Sequence, residues 1–304
     1  MFNRPKKSWL FIVNALAGRG KTGRKLGKLV EQLNRFDFDF EIEITKYPKH
    51  AIELTREYIR KGYRKLVAVG GDGTVNEVVN GIMLSRREED VILGIIPEGG
   101  GNDFARNFRI SGNIEKDLEI LKKEVTIPVD VGKIEEQYFI NALGLGFDAE
   151  VAQHADKIRY LNGLPRYLLA VMKALVKLKP HKMEITLNGE QFDISVLLIS
   201  IGNGLSTGGG FLLTPHAKVD DGRFDICLIK KIKLLRLLQL LPTAISGKHL
   251  EQPEVEIRQT DRIEVKTSQV LPIYYDGELP ELTNPLHFTI DLLPRRINLI
   301  CTKR

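Results

Sequence analysis

The chain has 304 residues, 43% of them hydrophobic, more than one globular core usually organises, so two domains are expected. Its net charge of +6 is uneven: residues 1–28 carry eight basic residues and no acid, 157–182 seven and none, and 230–248 five and none. The remainder is acidic, so the blocks point to an anionic partner: nucleic acid, phosphate or a membrane surface. Cys227 and Cys301 stand far apart in no metal or redox spacing, which excludes a disulfide framework and fits a reducing compartment. The apolar run Trp9 to Val13 is too short for a signal peptide, and nothing approaches the roughly 18 to 20 apolar residues of a spanning helix. A soluble protein, or one that lies on a membrane, is expected.

Short apolar runs alternate with helical periods over the first 130 residues, the pattern of an α/β domain with a mainly parallel sheet. Strands are predicted at Trp9 to Val13, Phe40 to Ile44, Lys65 to Val69 and Ile92 to Ile96, with helices near 22–35, 48–61 and 74–84. After Asp130 the runs alternate and are separated by Gly, Asn and Asp, with Asn188-Gly189 as a strong hairpin signal between Glu184 to Leu187 and Phe192 to Ile201. Further strands are predicted at 138–143, 223–229, 254–258, 261–266, 271–275 and 286–291, and basic helical regions at 156–179 and 232–246. The boundaries drawn are 1–130 for the first domain, completed by 292–304, and 131–291 for a second domain rich in antiparallel strands.

Three glycine-bearing loops follow predicted strands of the first domain. Gly70-Gly71-Asp72-Gly73-Thr74 leads into a helix, so free backbone N–H groups meet there, an arrangement suited to a phosphate. Pro97-Glu98-Gly99-Gly100-Gly101-Asn102-Asp103-Phe104-Ala105 and Asn14 to Gly20 have the same placement. Tight or flexible turns are the bland alternative for each loop taken alone. The late Asp276-Gly277-Glu278 and Asp220-Asp221-Gly222 read, without further information, as turns between strands.

These pieces together resemble the diacylglycerol kinase-like catalytic domain of the lipid kinases. The resemblance runs from Asn14, Gly18 and Gly20, through Thr45, the loops at 70–76 and 97–105, and Asp220-Asp221-Gly222 with Phe224-Asp225, to Asp276-Gly277-Glu278. It implies an N-terminal domain like that of NAD kinase and phosphofructokinase, and a C-terminal β-sandwich. It implies ATP at Asn14, Thr45, Gly70, Gly71, Asp72, Gly73, Thr74, Val75, Asn76, Gly99, Gly100, Asn102 and Asp103. Glu278 is implied as the base for the lipid hydroxyl, with Asp276 beside it, and Asp130 as the link to the metal. Mg2+ is implied around Asp221, with Lys218 and Arg223 giving only backbone carbonyls, because cationic side chains do not bind a hard cation. The family's Gly-Thr is Gly99-Gly100 here, which removes a hydroxyl whose phosphate bond is worth about 1 kcal/mol or somewhat more. Ala15 and Ala17 stand where the family's first loop has Pro and Ser.

The expected activity is ATP-dependent phosphorylation of a membrane lipid, diacylglycerol or a related glycerolipid, by a cytoplasmic protein held peripherally on the membrane. Rivals are an NAD kinase-like enzyme, which shares the Gly-Gly-Asp-Gly-Thr loop, and a non-catalytic lipid-binding relative with weakened nucleotide binding. Nucleic acid drops out as partner because no reading motif accompanies the basic residues; a homodimer stays open. Lys231 to Leu241 is apolar around most of a helix, fitting an interfacial helix, a lipid-cleft wall or a core-packed helix equally. The six histidines form no cluster, so no zinc site is expected.

Overall fold

The computed structural model describes residues 6–302 except 109, 159, 162 and 176–178. The chain divides into two compact units, residues 1–129 with 295–304 and residues 130–294.

In the first unit β1 (Lys6–Val13) lies between β2 (Phe40–Ile44) and β3 (Tyr63–Gly70), and β4 (Ile92–Pro97) flanks β3. The end of β14 (His287–Ile300) closes the row beside β4, and all five strands are parallel. Both faces are covered: Phe11 and Val13 pack towards Leu29, Leu33 and Leu118, while Leu10 and Ile12 on the opposite face are equally buried. That explains the unbroken apolar run of β1, because a parallel sheet has no wet face. Helices α1 (Ala17–Arg24) and α2 (Leu26–Arg35) follow β1, where the periodicity predicts one helix over 22–35. They are divided at Lys25, and within α1 the left-handed Gly18, Arg19 and Gly20 form a local turn that an apolar period does not register. Helices α3 (His50–Arg60) and α4 (Asp72–Ser85) precede β3 and β4, and α5 (Asp103–Arg106) and α6 (Ile114–Lys123) come after them.

The strands end in step. Val13 is in register with Ile44 and Val69, and Gly70 with Pro97. The residue after each strand prolongs the ladder: Asn14 N–H donates to Val69 (3.0 Å), Thr45 N–H to Val13 (2.9 Å) and Glu98 N–H to Gly70 (2.8 Å). The loops that follow therefore start side by side at one edge.

The second unit is built on antiparallel pairs, with β5 (Thr126–Ile134) crossing the unit boundary. Strand β9 (Glu190–Gly202) pairs with β8 (His181–Leu187) through the left-handed turn Asn188-Gly189, then with β10 (Phe224–Lys230) and β7 (Ala142–Gly146). β11 (Val255–Thr260) extends β10, β12 (Arg262–Lys266) lies between β8 and β14, β13 (Ile273–Tyr275) pairs with β7, and β6 (Gln137–Phe139) pairs with β5. Leu143, Ile185, Ile199, Phe224, Ile263 and Ile290 share the strand core. The single strand predicted at 138–143 is broken at Ile140 and Asn141, whose amides bond to a side chain far along the sequence. The helical region predicted at 156–179 begins earlier, as α7 (Phe147–Lys157) and then α8 (Gly163–Ala174); its residues 159, 162 and 176–178 lie outside the described residues. Among the described residues no helix is long and apolar enough to cross a membrane.

Candidate active site

At the carboxyl edge of the first sheet the three glycine loops touch through atoms that leave no room for side chains. A Cβ on Gly99 would stand 2.5 Å from the Gly71 Cα, and one on Gly18 would stand 2.6 Å from the Glu98 carbonyl oxygen. Gly73, in the first turn of α4, meets nothing within 4 Å. The amides of a first helical turn have no partners within the helix, so α4 offers donors and the positive end of its dipole beside open space.

Side chains tie the loops together. Asn14 Nδ2 donates to Thr74 Oγ1 (3.1 Å), and Asp72 Oδ1 accepts from the Phe104 amide (3.2 Å). Asn102, itself left-handed, accepts from the Gly99 amide (2.8 Å) and donates to its carbonyl (3.2 Å). Val75 and Asn76 are buried, and Asn76 Oδ1 accepts from Asn80 (2.6 Å). Gly100 is exposed, Asp103 is buried at the start of α5, and Thr45 is half-buried beside β1.

Two residues here escape pattern reading. Glu98 is almost fully buried and both its oxygens accept from Lys25 Nζ (2.6 and 2.8 Å). Glu77 accepts from the Lys49 and Ala51 amides (both 3.0 Å), so α4 caps the start of α3; burial lifts its carboxyl pKa while those bonds oppose the shift.

In the second unit, Asp276 and Gly277 are both left-handed in a two-residue turn closed by reciprocal bonds between Tyr275 and Glu278 (2.9 and 2.7 Å). The Asp276 carboxylate accepts from the amides of Ile140 (2.6 Å), Asn141 (3.0 Å) and Ala142 (2.9 Å). Both its oxygens are thus committed to backbone, and half-buried Glu278 is presented on a turn anchored by its neighbour. Asp130 is fully buried; its Oδ2 accepts from Gly222 N–H (2.7 Å) and its carbonyl from Asn203 Nδ2 (2.9 Å). It therefore fixes the Asp220-Asp221-Gly222 turn, on which Asp221 is exposed and accepts from the Arg223 amide (3.1 Å). Lys218 and Arg223 are exposed.

A cavity of about 540 Å3 lies among α7, α8, β9, β10 and α9 (Leu234–Ser246), lined by Phe147, Val151, Phe211, Leu237, Leu240 and Ala244 among others. Its polar lining includes Asp148, which pairs with Ser200, and His249. Burial raises the Asp148 pKa to about 6 and lowers that of His249; it pushes the Cys227 thiol, 3.8 Å from His249 Nε2, up to about 12. Helix α9 turns Leu237 and Leu240 inward and Leu234, Leu235 and Leu238 outward, the last three 45%, 76% and 36% exposed. Its Arg236 is held by Glu254 (2.8 Å).

An α/β unit with three glycine loops at the carboxyl edge of its sheet, followed by a β-rich unit with an apolar cavity, has the arrangement of a ligand-binding enzyme with a polar and an apolar site. A family model described as the diacylglycerol kinase catalytic domain matches residues 8–134, and one described as the YegS C-terminal NAD kinase beta sandwich-like domain matches residues 141–301. The diacylglycerol kinase of Bacillus subtilis (strain 168) is 30% identical over 269 residues, covering 88% of each chain. That of Mycobacterium tuberculosis is 29% identical over 297 residues, 95% of this chain and 93% of its own. A crystal structure of a diacylglycerol kinase from Bacillus anthracis str. Sterne superposes with a TM-score of 0.78 at 28% identity, over 97% of both chains. The chain belongs to the diacylglycerol kinase and YegS-like family of lipid kinases, with an α/β first domain and a β-sandwich-like second domain.

Proposed function

We propose that the chain transfers the γ-phosphoryl group of ATP to the free hydroxyl of a membrane glycerolipid, with diacylglycerol the foremost candidate. The observation that carries the nucleotide part is the cradle itself: three strand-end loops packed together where Gly18, Gly71 and Gly99 leave no room for side chains, with Gly73 facing open space at a helix start. The phosphates lie against the 70–74 turn and the 99–103 loop, with Asn14 and Thr45 at their flanks. The relatives named diacylglycerol kinase support the choice of lipid.

Phosphoryl transfer requires an oriented hydroxyl and neutralised charge more than covalent catalysis. Glu278 takes the proton of the lipid hydroxyl, the oxygen bonds to the γ-phosphorus, and the bond to the β–γ bridging oxygen breaks. The products are a lipid phosphomonoester and ADP, and Glu278 returns its proton to water. Asp276 is a positioning residue in this scheme, since its carboxylate holds the turn that carries Glu278. Mg2+ fits as a hard cation on the Asp221 carboxylate and the carbonyls of Lys218 and Arg223. Among the described residues no cluster of three or more His, Cys, Asp or Glu side chains offers a fuller cage, so water would complete the shell. When bound it supplies positive charge against the phosphates.

The cavity of the second unit is assigned to an acyl chain, and the outward leucines of α9, with exposed Lys231 and Lys233, to contact with an anionic bilayer. In the basic blocks, Arg4, Arg159 and Lys177 lie outside the described residues. The test is radiolabelled ATP with Mg2+ and mixed micelles of diacylglycerol, monoacylglycerol, ceramide or sphingosine, beside soluble NAD. Label in phosphatidic acid supports the proposal; label in NAD alone, or in none of the acceptors, overturns it.

A further inference from the structure

Three consecutive glycines, Gly99 to Gly101, form the part of the cradle least able to hold its own shape, since glycine loses the most conformational freedom on ordering. Among the described residues, side chains hold this loop from several sides. Asn102 grips Gly99 by its amide and carbonyl, Arg106 donates to the Gly101 carbonyl from Nε (3.2 Å) and Nη2 (3.1 Å), and Lys25 grips Glu98 through both carboxylate oxygens. Only the last of these comes from a distant segment, 73 residues away, at the junction of α1 and α2. It also joins a carboxylate to an ammonium group. Glu98 immediately precedes the triple glycine, and its side chain is 4% exposed while that of Lys25 is 31%. A buried carboxylate at this place, left alone, would repel a polyphosphate and weaken the site.

We propose that Lys25 and Glu98 form a positioning pair for the nucleotide, latching the triple-glycine loop to the segment after the first glycine loop and cancelling a charge that would repel the phosphates. The proposal rests on the glycine loops being the ATP cradle. A small cavity of about 210 Å3 bounded by Thr22, Leu29, Val69, Ile96 and Ile114 lies beside the pair. The apolar walls strengthen the ion pair, because little water competes for either group. Asp117 of α6 also interacts electrostatically with Glu98.

The test is calorimetric titration with ATP and steady-state kinetics on the full chain, for wild type, Lys25→Arg, Lys25→Met, and Lys25→Met combined with Glu98→Gln. Losing a bidentate charged bond should raise the KM for ATP in Lys25→Met about tenfold or more while kcat falls far less, and Lys25→Arg should restore most of the affinity. The combined variant, which removes the charge together with its partner, should recover part of the affinity lost in Lys25→Met and keep a raised KM, and it carries the same test if Lys25→Met does not fold. Wild-type protein that does not bind ATP removes the cradle reading and the latch with it. Wild type that binds ATP, with either Met variant matching its affinity throughout, overturns the latch alone.

Discussion

Gly73→Ala separates a phosphate cradle from an ordinary turn, because only the cradle couples a gain in stability to a loss of ATP affinity. A Cβ at Gly73 would meet no atom within 4 Å, and the residue sits in the first turn of α4 without a positive φ. Removing a glycine from a helix should therefore stabilise the unit by about 0.5–1 kcal/mol. For a unit of this size that raises the melting temperature by roughly 2–4 °C. The new methyl would occupy the space where the phosphates are proposed to lie, and inserting a methyl into a filled site costs roughly 1–3 kcal/mol, or about 5- to 150-fold in affinity. Differential scanning fluorimetry without ligand and calorimetric titration with ATP read the two effects separately. A variant that melts higher and binds ATP as tightly as wild type would refute the argument and leave the glycine a feature of the turn alone.

Further outcomes follow from the second unit. Asp276→Ala strips three backbone amides of their acceptor, so it should destabilise by about 3 kcal/mol or more and lower kcat, with ATP affinity unchanged; undiminished turnover would deny the turn its role. Ala244→Phe projects a ring into the 540 Å3 cavity and should raise the KM for long-chain diacylglycerol several-fold, but leave the KM for ATP alone; equal lipid kinetics would remove the cavity from the acyl path. Asp148 binds its proton more tightly folded, near pH 6, than unfolded, near pH 4, so its contribution is full below about pH 4 and is lost as pH rises through 6. Relative to Asp148→Asn, wild type should lose up to about 3 kcal/mol of unfolding free energy between pH 4 and 7, and parallel denaturation profiles would contradict this.

What could be read from the sequence was whatever a short window determines. The continuous apolar run at Trp9 to Val13 marks a strand covered on both faces, and Asn188-Gly189 supplies the two left-handed residues that a tight hairpin requires. Phe40 to Ile44 appears with the boundaries its alternation suggests. The glycine loops were visible because turn chemistry is local. The pieces that escaped depend on partners far along the chain. Glu98 looks like any loop acid until Lys25 is brought to it, and the break at Ile140 comes from a carboxylate 136 residues later. The strand predicted at 286–291 runs on into the last segment of the chain as one strand, His287–Ile300, although Arg295 within it has a positive φ. For α9 the periodicity left the choice between wall and interface open, because Leu237 and Leu240 face the cavity while Leu235 faces outward.

The central claim is that Glu278 accepts the proton of a lipid hydroxyl while ATP is held by the glycine loops of the first unit. Glu278→Gln keeps the side chain's shape and removes its basicity, so it measures that claim most directly. With labelled ATP, Mg2+ and diacylglycerol micelles, the variant should bind ATP with wild-type affinity and transfer label about 10²- to 10⁴-fold more slowly. Transfer at the wild-type rate by Glu278→Gln would contradict the account.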